Sequence, residues 1–342
     1  MSLQHAAAGS VKPPMDKRNT ILRVLADGKF HSGEELAAML DVSRASVWKH
    51  LNILKDRYSL NIHSVRGRGY RLGNPLDLLD AEQINAQIHT LARPHISRLE
   101  VHDQINSTNS YLMGLALEGA DSGVVCIAEQ QTAGRGRRGR TWVSPFGCNI
   151  YLSILWRYSV GMADLSGISI AAGVAVARTL ENLGVEGVGL KWPNDILLHN
   201  RKLAGLLLEV AGEQNGPSRV VLGVGLNTLL TPQDAEPIDQ PWIDLSGSAG
   251  GESISRNTLS AMLISELVTM MSCFETDRLS GIMEEWSRFD LHYNQEIIIR
   301  MNEQKQVVGI HKGIDDSGAL LLQVGDEIKA YHGGEVSLRP VT

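Results

Sequence analysis

The sequence contains few cysteine and aromatic residues. Among its 342 residues there are three cysteines, and aromatic residues make up 5% of the chain. Cys126, Cys148 and Cys273 are scattered and show no spacing typical of a zinc site, so we expect a reducing compartment and no structural zinc. No His or Asp pattern accompanies Cys148, which favours a small core residue there over a nucleophile.

Several common functional signatures are also missing. The sequence has no uninterrupted apolar run of membrane length and no signal-peptide pattern, so we expect a cytoplasmic protein without a membrane segment. It contains no Walker phosphate loop, no HExxH zinc motif and no nucleophile elbow. Any chemistry must therefore come from other clusters of polar residues.

Positive charge is concentrated near the N-terminus, although the whole chain carries −6. From Lys17 to Gly73 there are 11 Lys or Arg and 5 Asp or Glu, a net +6, which leaves −12 for the rest. A basic module on an acidic body suggests that only the first segment meets a polyanion. Residues 1–15 are rich in Ala, Ser and Pro and are predicted to be a disordered extension.

The basic segment, residues 16–74, predicts a winged helix-turn-helix domain. Ser32 and Glu35 have capping-box spacing at the start of one helix, and Ser43 caps the next, which runs to about Tyr58. The stretch that follows predicts a hairpin with a basic tip, a wing. A plain interaction module is the alternative, and the excess of positive charge favours DNA binding. The predicted DNA contacts are Ser43, Arg44, Ser46, Lys49, Arg66 and Arg68.

The remainder of the chain predicts an α+β architecture in two domains. Strands and helices alternate across residues 75–292, which indicates a central mixed β-sheet with helices, preceded by a linker helix from Leu76 to about Leu91. Short strands between Gly and Asp turns across residues 293–342 predict a small β-barrel.

The most informative stretch is the sequence GRGRRGR, residues 134–140, which lies between two apolar strands. Glycine lets backbone N–H groups approach a ligand closely, and arginine supplies a planar cationic fork suited to phosphate. The loop therefore predicts a segment that wraps an anion. A nucleic-acid patch or a solvated surface turn is the simpler interpretation.

Three more motifs accompany this loop: STN at residues 107–109, KWPND at 191–195 and RKLAG at 201–205. Cations and one carboxylate at strand ends suit phosphoryl or nucleotidyl chemistry, in which the protein positions reactants and neutralises charge. Each motif also has a simpler interpretation: Ser107 as a helix cap, Asp195 as a turn residue and Lys202 as a solvated hairpin tip.

Taken together, the motifs carry a resemblance. GRGRRGRTW, KWPND, RKLAGLLLE, GVGLN and a preceding STN, in this order, are similar to the bifunctional biotin–protein ligase and biotin operon repressor family, over nearly the whole chain after residue 15. The resemblance implies a class II synthetase-like central domain and an SH3-like C-terminal barrel. It also implies that ATP and biotin form biotinoyl-5′-AMP, and that biotin then passes to a lysine of biotin carboxyl carrier protein.

The resemblance further implies roles for individual residues. The implied catalytic residues are Arg137, Lys202 and Asp195, with Mg²⁺ near Asp195 and its other ligands unassigned. The implied biotin contacts are Ser107, Thr108, Asn109, Gln131, Arg135, Gly136, Arg137 and Lys202. The implied nucleotide contacts are Trp142, Lys191, Asn227 and Trp242.

A second output is implied by the same family. The adenylate-filled enzyme forms a homodimer that binds the operator of biotin biosynthesis genes, so that biotinoyl-AMP serves as corepressor. Two alternatives remain: a regulator that senses a ligand without catalysis, and a lipoate or octanoyl transferase on the same fold.

Overall fold

The structure is a computed structural model that describes residues 17–212, 216–248, 254–300, 306–333 and 337–340. The predicted extension, residues 1–15, lies outside the described residues. The chain divides into two compact units, Met1–Leu78 and Leu79–Thr342. The first boundary lies a few residues beyond the predicted one at 74, whereas the division predicted at 292/293 is not tested by this partition and stays a prediction.

The first unit is a winged helix-turn-helix. Its elements are α1 (Lys17–Leu25), α2 (Gly33–Leu40), α3 (Arg44–Tyr58), β1 (Ile62–Val65) and β2 (Gly69–Leu72). The predicted capping box is present, because Ser32 Oγ accepts from Glu35 N at 3.0 Å and the Glu35 carboxylate accepts from Ser32 N at 3.4 Å. Apolar side chains at helical spacing form the core of this unit, namely Ile21, Leu25, Leu36, Val47, Leu51 and Leu54.

The wing is tied to the segment before α2. His31 and Tyr70 exchange backbone hydrogen bonds of 2.9 and 2.8 Å. This close approach requires a glycine next to Tyr70: a Cβ on Gly69, whose φ is +101°, would lie 2.0 Å from the His31 carbonyl oxygen.

The second unit is built on a seven-stranded sheet in the order β3-β4-β5-β9-β8-β7-β6. Its strands are β3 (Arg98–His102), β4 (Val124–Ala128), β5 (Ile150–Tyr158), β6 (Val188–Lys191), β7 (Asp195–Leu198), β8 (Arg201–Gly212) and β9 (Ser218–Leu226). The pair β3 and β4 is parallel, and the other five pairs are antiparallel.

Helices cover both faces of this sheet. They are α4 (Ala81–Gln87), α5 (Thr108–Leu117), α6 (Ile168–Asn182), α7 (Arg256–Asp277) and α8 (Met283–Phe289). Alternate residues of β4 divide between two cores: Val124 and Cys126 pack with Leu112 of α5, whereas Val125 and Ile127 belong to the larger core. This division follows from the two-residue period of side chains along a strand.

A second sheet of five antiparallel strands completes this unit, in the order β13-β12-β11-β10-β14. The strands are β10 (Glu296–Arg300), β11 (Gln306–Ile314), β12 (Leu320–Val324), β13 (Glu327–Tyr331) and β14 (Ser337–Pro340). Its inward side chains, such as Ile297, Ile299 and Leu322, join the larger core. The predicted fold class is thus confirmed.

Two details of the prediction are wrong. The linker helix predicted from Leu76 to Leu91 is only α4, because Asp80 caps it by accepting from Glu82 N and Gln83 N, and residues 75–80 have no regular secondary structure. Strand β14 was not predicted.

Two helical segments are long and apolar enough to cross a membrane by length and composition alone, Met162–Asn182 and Arg256–Asp277. In both, most of the apolar stretch is buried inside the protein, 67% and 61% respectively. Core helices that pack on a sheet have the same composition, so these segments add nothing to the case for a membrane protein.

Candidate active site

Glycines form the floor of a cavity in the second unit. Gly205 of β8 and Gly225 of β9 are directly paired across the sheet. A Cβ on Gly225 would lie 2.4 Å from Trp142 Cε2, and one on Gly223 would lie 2.2 Å from Asn109 Oδ1. The missing side chains therefore let Trp142 and Asn109 lie directly on the backbone of the sheet.

The cavity encloses about 1150 Å³ of empty space, part of it open to solvent. Eleven of the thirteen residues to which the family implies a catalytic, biotin or nucleotide role line it: Ser107, Thr108, Asn109, Gln131, Arg135, Gly136, Arg137, Trp142, Lys191, Asp195 and Lys202. Arg137 and Lys202 thus share one cavity.

A hydrogen-bonded cluster occupies the end of the cavity at the start of α5. Gln131 Oε1 accepts from Thr108 N at 2.9 Å, and Gln131 Nε2 donates to Ser144 Oγ at 3.1 Å. Ser153 Oγ, which is fully buried, lies 2.7 Å from Thr108 Oγ1 and 2.6 Å from Asn109 Oδ1. The cluster holds these polar groups in fixed positions before any ligand binds.

Ser107 is both a helix cap and a residue of the cavity lining. Its Oγ accepts from Ser110 N at 3.4 Å as the helix cap, and the residue also lines the cavity. A cap at this point presents the positive end of α5 and its first N–H groups to the same space.

The Gly/Arg loop is anchored at two arginines. Arg135 Nη2 lies 3.0 Å from Glu209 Oε1, and Arg135 Nη1 donates to Ser110 Oγ at 3.2 Å. Arg137 Nη1 donates to Asn194 Oδ1 at 2.8 Å, and its Nη2 donates to the Gly333 carbonyl oxygen.

Burial lowers the pKa of Arg137, while the nearby Asp195 carboxylate raises it. The guanidinium stays protonated at any physiological pH, because the ordinary pKa of arginine is above 12. A half-buried cation whose hydrogen-bond acceptors Asn194 and Gly333 are neutral is suited to an incoming anion.

Lys202 and Asp195 form an ion pair inside the cavity. Lys202 Nζ lies 2.7 Å from Asp195 Oδ1 and 5.5 Å from the centre of the Trp142 ring. The side chains are only 16% and 20% exposed. The sharp turn between β7 and β8 is made instead by His199 and Asn200, which both have positive φ. Lys202 therefore lies beyond the hairpin tip, on the strand.

Two of the implied nucleotide contacts lie outside the cavity lining. Asn227 is buried, and its Nδ2 donates to the Ile243 carbonyl oxygen at 3.1 Å. Trp242 forms an isolated bridge with Lys202. The segment that carries Trp242 is held beside β8, since Lys202 N donates to Pro241 O at 2.9 Å and Ile243 N donates to Lys202 O at 3.0 Å. A nucleotide role for Asn227 and Trp242 stays a prediction.

Sequence reasoning missed four residues that organise the site. Glu209 holds Arg135 and also accepts from Asn109 Nδ2 at 3.0 Å, and Asn194 and Gly333 hold Arg137. Ser153 joins Thr108 to Asn109. Glu209 and Asn194 belong to the motifs RKLAGLLLE and KWPND, so the sequence motifs included them although no role was assigned to them. Ser153 and Gly333 lie in no motif.

The described residues contain no group of three or more His, Cys, Asp or Glu side chains that could hold a metal ion. Asp195 is the one carboxylate among the described residues that line the cavity. Mg²⁺ bound to a nucleotide commonly uses one or two carboxylates plus phosphate oxygens. The donor set therefore fits a nucleotide-borne Mg²⁺ and does not fit a metal held by protein alone.

Thiol chemistry has no support in this site. Burial raises the pKa of Cys148 to about 12 and raises the pKa of Cys126 further. Both thiols are therefore protonated and unreactive at neutral pH.

The predicted DNA contacts lie on α3 and on the wing of the first unit. Ser43 caps α3 by accepting from Ser46 N at 3.2 Å, and Ser46 itself is half-buried. Arg44 is exposed and lies 3.2 Å from Glu34. Arg68 stacks 4.2 Å from the centre of the Phe30 ring. Lys49 and Arg66 are exposed.

Parts of this chain match known protein families, and its fold matches a known structure. Residues 101–227 match the biotin/lipoate A/B protein ligase family, residues 17–71 match an HTH domain, and residues 292–339 match the biotin protein ligase C-terminal domain. The biotin protein ligase from Aquifex aeolicus in complex with biotin and ATP superposes with a TM-score of 0.61 at 24% identity, covering 72% of this chain and 100% of that one, and so shares the fold.

Full-length relatives share both units. The bifunctional ligase/repressor BirA of Salmonella typhimurium is 41% identical, over 94% of this chain and 97% of the relative. The protein of the same name from Bacillus subtilis is 29% identical over 92% and 95% of the two chains. With an N-terminal HTH domain, the ligase domain and its C-terminal domain all present in order, the chain belongs to the family of bifunctional biotin–protein ligases and repressors.

Proposed function

We propose that this protein is an ATP-dependent biotin–protein ligase that also represses transcription of biotin biosynthesis genes. In the first step the biotin carboxylate attacks the α-phosphate of ATP, which gives biotinoyl-5′-AMP and pyrophosphate. In the second step a lysine amine of biotin carboxyl carrier protein attacks the mixed anhydride and AMP leaves. The observation that carries the proposal is the convergence of Arg137 and Lys202 on one cavity whose far end holds a fixed polar cluster.

The two cations reduce the main electrostatic repulsion that opposes the first step. A carboxylate must approach a triphosphate, and both are anionic. Lys202 is a mobile point charge, and Arg137 is a fork suited to two oxygens, so together they offset the repulsion and the charge that develops on phosphate. Since both side chains are partly buried and held by hydrogen bonds before ligands arrive, little reorganisation is needed during the reaction.

Asp195 supports this role in two ways. Its ion pair keeps Lys202 in place while the cavity contains no phosphate. When a phosphate oxygen takes over Lys202 Nζ, the Asp195 oxygen becomes available to Mg²⁺ carried by ATP, which would supply further neutralisation of phosphate charge.

The polar cluster at the start of α5 suits the ureido group of biotin. Thr108, Asn109 and Gln131 offer fixed donors and acceptors within one end of the cavity. The flat floor at Gly205 and Gly225, with Trp142 on it, offers an apolar surface to the fused rings. Ligand sites commonly combine such an apolar surface with a few positioned polar groups.

Biotin-dependent exchange of labelled pyrophosphate into ATP tests the first step directly. The exchange requires reversible adenylate formation and no carrier protein. We expect exchange with biotin and none with lipoate. Biotin binding without exchange would instead support the ligand-sensing regulator, and a carrier domain that gains the mass of a lipoyl or octanoyl group would support the transferase. Weighing a carrier domain after incubation with biotin and ATP tests the second step.

The first unit supplies the repressor function. Its charge of +6, the exposed cations of α3 and the basic wing suit the phosphates of duplex DNA. We expect Arg68→Ala to weaken operator binding and to reduce the slope of affinity against salt concentration by about one ion. Lys329→Ala, which removes an exposed cation of the other unit, is the matched control. An unchanged slope for Arg68→Ala would mean that the wing does not contact phosphate.

A homodimer formed with biotinoyl-AMP as corepressor completes the proposal. Opposite β9, strand β8 pairs with β7 only as far as Gly205, and within the described ranges no strand pairs with residues 207–212 on that side. Such an edge is a ready template for a strand from a second copy. The operator then has two half-sites, one for each winged helix, and the whole system acts in the cytoplasm.

A further inference from the structure

Trp48 lies at the edge of the exposed face of α3. Its side chain is 60% exposed. At 100° per residue, the buried side chains of α3 point to one side of the helix, and Trp48 points about a quarter turn away from them, beside Arg44 one turn earlier. Lys49, next in sequence, flanks the same face.

A single exposed apolar residue is common and needs no explanation by itself. Two observations distinguish Trp48. The first is its surroundings, because cations flank this face. The exposed Arg44–Glu34 ion pair contributes little stability, so Arg44 can leave Glu34 for a phosphate at little cost.

The second observation is the contrast with Phe30 in the same unit. Two guanidinium groups cover Phe30, those of Arg68 at 4.2 Å and Arg71 at 5.0 Å from the ring centre. Over the described residues of this unit, no cation or ring lies against Trp48 in this way. The indole is therefore an uncovered apolar surface within a basic face.

Duplex DNA offers one apolar group that such a surface can recognise. The second helix of a helix-turn-helix enters the major groove, and its N-terminal residues meet the base edges while flanking cations meet phosphates. In that groove thymine presents a C5-methyl group, which no other standard base carries. Trp48 follows the Ser43 cap by five positions and so lies in the first part of α3.

We propose that Trp48 is a specificity-determining residue that packs on a thymine methyl group in each operator half-site. The inference rests on the proposed repressor function and adds to it a base preference at one position of each half-site. Arg44 and Lys49 then orient the helix through phosphates, and Trp48 reads sequence by apolar contact.

The test uses the full chain with biotin and ATP. The wild-type protein first selects binding sites from a pool of randomised duplexes. Each thymine of the selected duplex is then replaced in turn by 2′-deoxyuridine, which removes only the methyl group. We expect one replacement in each half-site to weaken wild-type binding roughly fourfold, the equivalent of about 0.8 kcal/mol for one buried methyl-sized group.

Two variants distinguish a contact with the thymine methyl group from a contact with phosphate. Trp48→Ala should bind the thymine duplex more weakly and lose all discrimination between thymine and deoxyuridine at that position. Lys49→Ala should bind more weakly but keep the discrimination, since it removes a phosphate contact. The thermal midpoint of unfolding shows whether each variant is folded.

Each other outcome contradicts the inference. If deoxyuridine costs wild type and Trp48→Ala equally, another residue reads the methyl group. If Trp48→Ala lowers self-association and leaves the discrimination intact, Trp48 is a protein contact. If the wild type selects no duplex at all, the proposed repressor function fails and this inference falls with it, whereas selection without a methyl preference removes this inference alone.

Discussion

At the residue scale, two cations of the cavity are held in ion pairs before any ligand binds. Lys202 is paired with Asp195, and Arg135 is paired with Glu209. Each pair keeps a flexible side chain at the place where an anion would arrive. An anionic ligand that binds either of these two cations must therefore displace a carboxylate.

The first residue-scale prediction concerns Lys202→Ala. We expect biotin-dependent pyrophosphate exchange to fall about 100-fold or more, because one preorganised charge is lost where the transition state is most anionic. Removal of Nζ also leaves the Asp195 carboxylate unpaired and repulsive to phosphate. Arg201→Ala is the matched control, since Arg201 precedes Lys202 on β8 and is exposed. Near-normal exchange by Lys202→Ala would remove this lysine from the reaction.

The second prediction separates Glu209 from the reacting atoms. Glu209 contacts Asn109 and Arg135 at 3.0 Å each, so we regard it as a positioning residue. Glu209→Gln keeps an acceptor for Asn109 but loses the charge that holds Arg135. We expect KM for biotin to rise roughly three- to tenfold with kcat retained, as for a lost hydrogen bond to a charged group in a half-exposed place.

The experiment for Glu209 measures pyrophosphate exchange against biotin concentration. Glu209→Ala, which also removes the acceptor for Asn109, should raise KM further. Glu327→Gln breaks a similar exposed pair with Lys329 and serves as control. A fall in kcat at unchanged KM would instead place the Glu209 carboxylate among the groups that act in the chemical step.

At the scale of secondary-structure elements, local signals predicted most of the first unit. Caps at Ser32 and Ser43, apolar spacing along α3 and a glycine-rich wing tip need only neighbouring residues to act, so helices and hairpin appear where the pattern indicates them. The prediction of the linker helix was wrong because it also used only a local pattern. Apolar residues from Leu76 onward suggested a helix, but the capping side chain of Asp80 starts α4 later.

The junction between the two sheets of the second unit is held by buried histidines. His311 Nε2 lies 2.6 Å from Asp290 Oδ2, and both side chains are almost fully buried. Next to this pair, His292 Nδ1 lies 3.3 Å from Gln295 Oε1. Burial lowers the pKa of His292, the positive charge of Lys191 lowers it further, and the contact with Gln295 opposes both.

A pH dependence of stability follows from His292. Its folded-state pKa lies below the ordinary value of about 6.5, so the unfolded chain binds more protons in this range. The free energy of unfolding contributed by this group is therefore present above about pH 6.5 and is lost as pH falls through the folded-state value. We expect the thermal midpoint of the full chain to fall between about pH 7.5 and about pH 5.5.

His292→Gln supplies the control for this effect. Glutamine does not titrate, so the fall in thermal midpoint on acidification should be smaller in the variant than in the wild type. His63→Gln changes an exposed histidine of the wing and should leave the pH dependence as it is. Equal pH dependence in wild type and His292→Gln would mean that other groups cause the loss of stability in acid.

At the scale of the whole molecule, the motifs and their order could be recognised in the sequence, whereas the order of the strands in the sheet could not be predicted from it. The motifs STN, GRGRRGR, KWPND and RKLAG identified residues that the structure brings to one cavity. Their grouping depends on β9 lying between β5 and β8, a long-range pairing that no local pattern encodes. For the same reason Ser153 and Gly333 were missed, because each reaches the site only through tertiary packing.

Catalysis and repression are expected to be coupled through the bound adenylate. Sedimentation of the full chain should show monomers with biotin alone or ATP alone and dimers with both, because in the proposed mechanism only the adenylate would occupy both the biotin and the nucleotide parts of the cavity. Lys202→Ala should stay monomeric with biotin and ATP, since it forms little adenylate. A dimer that forms equally without ligands would contradict the coupling.

A variant of the free edge of β8 tests where the dimer forms. Ala211 lies on the part of β8 that, among the described residues, pairs with β9 and with no second strand. Ala211→Lys places a charge on this edge, which is how sheet proteins commonly prevent strand addition. With biotin and ATP, we expect this variant to form adenylate, as shown by pyrophosphate exchange in the same sample, and yet to sediment as a monomer. Dimers that persist with Ala211→Lys would mean that the copies meet at another surface, and the β8 edge would then have no part in repression.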